Sequence, residues 1–497
     1  MKDNLQMQKE RIRIVNNFSP NVKGEYVLYW MQAYRRLEYN HSLDFAVSLA
    51  EQYKKPLVVY EGLRMDYPWN STRIHRFILE GMENNFFEAE EKGFTYWSFV
   101  ETSKNPARGV LKSICEKAVA VVTDDFPCFI IPEQTTKLAN KILVPLYSID
   151  GNGVIPLKLY GEFASAARIL RPRIHKLFPE SFRHISNKNP SIKNLPSWKK
   201  TPPLPTWNPR TKSINEILNE ISFQNQVSVV PTKGGRKQAL ILLEEFLSKK
   251  ILHYEEGRSN PHSPQVSPVS GLSAYIHFGY ISIDEIVSSV LNLNSKENWS
   301  IENLNLSQIG KKEFFHNNPS IYGFLDELLT WRDIGYLMFF LEPSFRKDLS
   351  ILPDWLKKNN LKHKEDKREH LYTKLQLENF VTHDKLWNLA QKELVFTGKM
   401  HNYMRMLWGK KVIEWTSSLE EAFEILEDFN NKYALDGRNP NSYTGILWCF
   451  GLFDRPWFPE RNIFGNIRYM STDAALRKFQ MQEYIDYVEG LSHETLF

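Results

Sequence analysis

Long apolar runs, clustered cysteines and nucleotide-binding glycine motifs are all missing from this 497-residue sequence. No apolar stretch reaches the roughly 18 residues a membrane span needs. The opening Met1-Lys-Asp-Asn-Leu-Gln is too polar for a secretory signal. The expectation is a soluble intracellular protein with no membrane partner, cytoplasmic and nucleoid-associated in a prokaryote, nuclear in a eukaryote. The 3 cysteines, Cys115, Cys128 and Cys449, lie far apart without metal-ligand spacing, which excludes a disulfide framework. Neither a GxGxxG nor a P-loop occurs in the first half, so neither nicotinamide-dinucleotide nor nucleoside-triphosphate chemistry is signalled. Charge of one sign is also scarce. At a net +5, binding to nucleic acid must rest on a local patch.

What the chain has in quantity is apolar and flat side chains, 42% hydrophobic and 13% aromatic, enough for more than one core. Residues 1–24 read as a flexible polar lead-in. Then apolar runs at Tyr26–Trp30, Leu57–Tyr60, Phe94–Val100, Ala118–Thr123 and Ile142–Leu146 alternate with helical patterns at Ser42–Gln52, Thr72–Glu91 and Arg108–Ala118. Such alternation predicts βαβ units in a doubly wound parallel sheet over 25–165, with a ligand crevice at its carboxyl edge. Residues 166–212 are expected to link the halves. Their later part mixes Pro190, Pro196, Pro202, Pro203, Pro205 and Pro209 with lysines, a semi-extended crossing. Over 213–497 the pattern turns helical: Ser213–Ser222, Gln238–Tyr254, Asp284–Leu293, Phe324–Phe340 and His401–Thr416 are the candidates, and strand-like runs almost vanish.

Three stretches carry chemistry-bearing residues. In Thr397–Trp448, Met404, Trp408 and Trp415 recur at roughly helical spacing. A buried Arg405 among them would need a partner, for which Asp436 is the candidate. Ser270-Gly271-Leu272-Ser273 offers hydroxyls and free backbone N–H groups where a helix begins, a cradle for a diphosphate or simply a capped helix start. Glu327 and Trp331 share a helical face at i, i+4. Taken singly, each has an ordinary structural reading: core tryptophans, a helix cap, a solvated acid.

The order of these features resembles the photolyase/cryptochrome family. Trp387-Asn through Gly398-Lys-Met, Met404-Arg-Met, Asp436-Gly-Arg-Asn-Pro-Asn and Gly465-Asn-Ile-Arg-Tyr-Met look most like class II cyclobutane pyrimidine dimer photolyases. The resemblance covers the chain beyond residue 25 and is densest over Trp387–Met470. It implies an N-terminal α/β antenna domain and a helical domain holding a U-shaped FAD. Light-driven repair would follow, in which excited reduced FAD passes an electron to a pyrimidine dimer flipped out of UV-damaged DNA.

Carried over residue by residue, Tyr254 and Ser270–Ser273, including Gly271 and Leu272, would hold the phosphates, with Val269 also at the cofactor. Asn402, Arg405, Asp436 and Gly437 would lie against the cofactor, and Asn430 would face the flavin nitrogen whose protonation changes on reduction. Trp408, Trp387 and Trp415 would relay electrons inward. Glu327, Trp331, Met406 and Trp448 would line the lesion pocket, with Arg258 and Arg468 near the DNA. A second, antenna chromophore (a deazaflavin, FMN or a folate) and a monomeric state are part of the expectation.

Leu407 departs from the tyrosine usual beside the proximal tryptophan in class II members. The rival readings are a cryptochrome-like light sensor and a (6-4) photolyase. The second would place a histidine after Arg405, where Met406 stands.

Overall fold

Val27, Tyr29 and Met31 pack into one apolar cluster, while the alternate residues Tyr26, Leu28 and Trp30 pack into another. This period of two, with both faces covered, marks a central strand of a sandwiched parallel sheet. The structure, a computed structural model, describes residues 7–293, 299–342 and 349–492. Its strands are β1 (Ile12–Ile14), β2 (Tyr26–Met31), β3 (Leu57–Leu63), β4 (Thr95–Val100), β5 (Ala118–Asp124) and β6 (Leu146–Ile149). They form one sheet in the order β1-β6-β5-β2-β3-β4. β2 pairs in parallel with both β3 and β5, so the winding reverses at its carboxyl end.

Two sequence expectations need correction here. The lead-in is not wholly frayed, because β1 closes the sheet edge antiparallel to β6. Just before it, buried Arg11 donates to the carbonyls of Asp150, Gly153 and Val154. The fifth parallel strand begins at Leu146 rather than Ile142, since the ladder with β5 runs from Leu146, just after the Pro145 carbonyl accepts from the Val121 N–H. Ile142 and Val144 are still buried, and their apolarity reflects packing rather than pairing.

The second half is helical. Within the expected linking stretch, Ala167–Phe182 forms a helix whose Leu170, Ile174 and Phe178 enter the large core. Residues 183–212 then cross without regular structure. The Thr72–Lys92 helix joins the halves: Phe77 meets Tyr275 and Phe278 at ring-centroid distances of 5.5 and 5.2 Å. A Cβ at Gly81 would lie 2.2 Å from the Tyr280 ring, so only glycine admits this approach.

Two helices expected to run unbroken are interrupted. The Arg236–Glu245 helix passes into a π-turn, Phe246–Lys250, before reaching Tyr254. Pro319–Asp326 likewise passes through a π-turn, Glu327–Trp331, into the helix Arg332–Leu341. The segments that carry them pack together, Phe324 of the Pro319–Asp326 helix meeting Phe246 at 4.6 Å and Tyr254 at 5.4 Å. π-Turns inside helices are frequent at functional sites.

Candidate functional site

The Asn402–Trp415 helix is the spine of the site. It starts where His401 Nδ1 accepts from the Tyr403 N–H at 3.2 Å, and its face of Met404, Leu407 and Trp408 is buried. The expected ion pair is present, with Arg405 Nη2 3.1 Å from Asp436 Oδ1. Burial pushes the Asp436 carboxyl up, but Arg405 and a hydrogen bond from Ser273 outweigh it, and its pKa ends below the ordinary carboxylate range. Asp436 thus ties the Ser270–Ser273 segment to Arg405.

The residues around this tie suit an anionic cofactor. Gly271 has φ +67° with nothing within 4 Å of where a Cβ would point. Gly445 has the same open space, exposed in a helix (Pro440–Cys449) whose neighbouring residues Thr444 and Ile446 are buried. Lys399 lies close enough to Asp436 and Glu393 for their charges to act on it, although burial dominates and lowers its pKa. Hydroxyls on Ser270 and Ser273, an ammonium and a guanidinium around open space form a donor set that fits a diphosphate. Leu272 is buried and Val269 half-buried beside it, and the helix that follows, Ser273–His277, is short. Asn430 is buried, with its amide nitrogen 3.3 Å from Asn431 Oδ1. The Asn430 backbone carbonyl oxygen lies 2.6 Å from where a Gly437 Cβ would stand. Asn402 is exposed at the first turn of its helix.

The tryptophans form a connected series. Trp387 Nε1 donates to the Trp408 carbonyl at 3.0 Å, and Trp408 Nε1 to Gln391 Oε1 at 2.8 Å. Trp387 and Trp415 meet ring to ring at 5.5 Å. Sequence reasoning missed the continuation: Tyr372 packs on Trp415 at 5.6 Å, is half-buried, and shares a 2.7 Å hydrogen bond with His383 Nδ1. Tyr372 lies outside any periodic apolar stretch, so nothing in the sequence pattern marks it.

Two groups of residues surround the expected lesion pocket. On one side Glu327 pairs with Arg258, whose guanidinium lies over Tyr254 at 5.7 Å, while Trp331 is 39% exposed. On the other, half-buried Met406 receives a Cys449 Sγ contact at 3.9 Å on its carbonyl, next to half-buried Trp448. Lys410 Nζ sits 4.9 Å from the Trp448 ring, and the Arg468 guanidinium 5.9 Å. The helices bearing the two groups touch, since a Cβ at Gly335 would lie 2.6 Å from Asn441 Oδ1. Buried Lys410 also escaped sequence reasoning, hidden in a helix read as apolar.

A cavity of about 690 Å³ opens in the α/β half, at the carboxyl end of β2 where the winding reverses. Trp30, Tyr60, Phe99 and Phe126 give it flat apolar walls, and Arg108, Lys112, Lys137 and Lys141 give it basic ones. Gln32 Oε1 and His277 Nδ1, both on its lining residues, are buried without a hydrogen-bond partner. Among the described residues no group of acidic, histidine and cysteine side chains suits a metal ion, and no helix is long and apolar enough to cross a membrane.

No protein-family model matches the chain. It is 33% identical over 489 residues to a deoxyribodipyrimidine photo-lyase from Methanothermobacter thermautotrophicus, covering 98% of this chain and 99% of that protein. In fold it resembles a class III photolyase from Agrobacterium tumefaciens (TM-score 0.64, 16% identity, 94% of this chain and 86% of that one). It resembles a Synechocystis cryptochrome as closely (TM-score 0.66, 15% identity, 93% and 88%). Fold alone therefore does not separate repair from light sensing; the sequence identity does.

Proposed function

Because this chain belongs to the deoxyribodipyrimidine photo-lyase family, we propose that it repairs cyclobutane pyrimidine dimers in UV-damaged DNA, using light and FAD, with the residues above in the roles that follow. One observation carries the reading: a single helix delivers Arg405 to Asp436 and Met406 to the Trp448 helix, so cofactor and lesion sites share a wall. FAD, when bound in its reduced form, supplies on excitation the electron that splits the dimer.

The chain's own residues do the rest. Ser270, Ser273, Lys399 and Arg405 hold the diphosphate, and Asp436 fixes Arg405 and Ser273 in place. Trp448 and Trp331 receive the flipped bases, which stack on aromatic faces at about 1–3 kcal/mol per base. Glu327 hydrogen-bonds the dimer where negative charge develops. Trp408, Trp387 and Trp415 carry electrons from the surface inward. The basic-mouthed cavity of the α/β half suits a second chromophore with a flat ring and an anionic tail. The protein acts as a monomer of the class II type, with 25–165 as antenna domain and 213–497 as catalytic domain.

The test is loss of dimers from irradiated oligothymidine under near-ultraviolet or blue light, with a dark control. Trp448→Ala is expected to lower dimer affinity about tenfold or more, and Glu327→Ala to lower dimers split per photon while changing binding modestly. FAD content should hold in both. A wild-type protein full of reduced FAD that splits no dimers in light would overturn the repair reading.

A further inference from the structure

The carboxyl read above as the lesion contact already has a partner. Arg258 Nη1 donates to Glu327 Oε1, and its Nε lies 3.4 Å from Glu255 Oε2. Both members of the pair are about one-third exposed, at 31% and 33% of their side chains, so the bond is open to solvent and to an approaching ligand. Glu327 also opens the π-turn, which sets it at a break in the helix rather than on a regular face. Two roles fall on one guanidinium group, contact with DNA and neutralisation of Glu327. While Nη1 donates to the carboxylate, the pairing favours the ionised form, which cannot donate a hydrogen bond to the dimer. The roles are therefore successive.

We infer that the Arg258–Glu327 pair is a latch opened by damaged DNA: a backbone phosphate takes the guanidinium group, and the freed carboxylate takes a proton from solvent and meets the dimer as a hydrogen-bond donor. The inference rests on Glu327 facing the lesion. The balance is simple, since one carboxylate gains one proton and no electrons move. A phosphate suits the exchange because guanidinium binds phosphate and carboxylate with the same forked geometry.

The surroundings favour protonation once Arg258 leaves. Burial raises the Glu327 pKa and Arg258 pulls it only partly back, while Asp326 and Glu255 push it up further, so it stays above the ordinary carboxylate value. Tyr254, on the same turn as Glu255, is raised by burial and stays neutral. Asp326 is held by Arg171 of the Ala167–Phe182 helix through bonds of 2.7 and 2.9 Å, so that guanidinium group is already engaged. Behind Arg258, burial lowers the pKa of His401 to about 4, which leaves it neutral. His262, near His401, pairs with Glu483 at 3.4 Å. The Glu327→Gln variant separates the Glu327 proton from any taken up elsewhere.

The experiment titrates the holoenzyme in the dark with a single-stranded oligothymidine carrying one dimer. Calorimetry in two buffers of different ionisation heat, across about pH 5.5–8, counts protons taken up on binding. Wild type should take up a fraction of a proton that rises toward about one within this range. Glu327→Gln, nearly isosteric, should lose that uptake. Arg258→Ala should take up less than wild type, because without the guanidinium group burial already favours the protonated Glu327 carboxyl before DNA arrives, and Arg258→Lys should restore the uptake. FAD absorbance verifies that each variant is folded and loaded. No uptake in wild type, undiminished uptake in Glu327→Gln, or undiminished uptake in Arg258→Ala each overturns the latch. Illuminating the same samples separates the two readings. Repair without Glu327-dependent uptake refutes the latch alone, whereas no wild-type repair refutes the site assignment beneath it.

Discussion

Replacing Lys410 by methionine should change stability in a way that depends on pH. Lys410 is buried in the Asn402–Trp415 helix, donates to the Cys449 carbonyl at 2.7 Å, and lies beneath Trp448. Burial lowers its pKa from 10.5 to about 8. At about 1.4 kcal/mol per unit, that shift corresponds to a cost of roughly 3 kcal/mol. The sign follows from proton counting. Between the two pKa values the unfolded chain binds more protons than the folded one, so stability rises with pH there. Below about pH 8 both states are protonated and the full cost remains. Lys410→Met removes this cost but leaves the Cys449 carbonyl unpaired, at about 1–3 kcal/mol. Near neutral pH the variant should be as stable as wild type or up to about 2 kcal/mol more stable. Its advantage should shrink by about 2 kcal/mol between pH 7 and 9.5 as the wild-type ammonium loses its proton. Urea unfolding at the two pH values measures this, and a stability difference that does not change with pH would refute the reasoning. Dimer affinity should fall in the same variant, since the cation under Trp448 contributes about 0.5–2 kcal/mol to holding the ring.

Two further outcomes follow from the geometry. Arg405→Ala leaves Asp436 without its guanidinium partner. FAD affinity should drop by about 2–3 kcal/mol, somewhat less than for a fully buried pair; full FAD occupancy at micromolar protein would contradict this. Trp408→Phe keeps the packing but is far harder to oxidise. It should abolish photoreduction of the oxidised holoenzyme and spare repair by enzyme reduced beforehand with dithionite. Unchanged photoreduction would show that electrons enter by another path.

The sheet was legible because β2, β3 and β5 are buried on both faces, which leaves near-continuous apolar runs. β1 was not, since three residues at an edge, ending in exposed Ile14, carry no pattern. The Arg405–Asp436 pair could be foreseen because a guanidinium group in an apolar helix demands a carboxylate. The π-turns could not: one extra residue in a turn barely shifts a 3.6-residue period, yet it sets where Glu327 and Tyr254 point. The Arg258–Glu327 contact was equally hidden, because 69 positions separate the two residues and each reads singly as a solvated charge.

A net charge of +5 is small for a protein proposed to hold a polyanion, so the placement of individual cations matters. Exposed Arg455, Arg461 and Arg468 each rest on an aromatic ring, at 4.7 Å on Trp457, 5.0 Å on Tyr469 and 4.9 Å on Trp457. Trp457 is in turn pinned by the Asn466 carbonyl at 2.8 Å and by Asp454 at 3.2 Å. A ring beneath a guanidinium group attracts it without consuming its outward N–H donors, so the charge is ordered before a phosphate arrives. Arg258 is treated differently, since its partner is a carboxylate that competes directly with phosphate. The ring-mounted arginines are therefore suited to any backbone that approaches. Arg258 can be transferred only where something compensates Glu327, and a dimer base edge accepting a hydrogen bond from the newly protonated carboxyl would do so. On the latch inferred above, selectivity for damage over intact duplex would reside in Arg258, which must break a bond to bind, rather than in the summed charge.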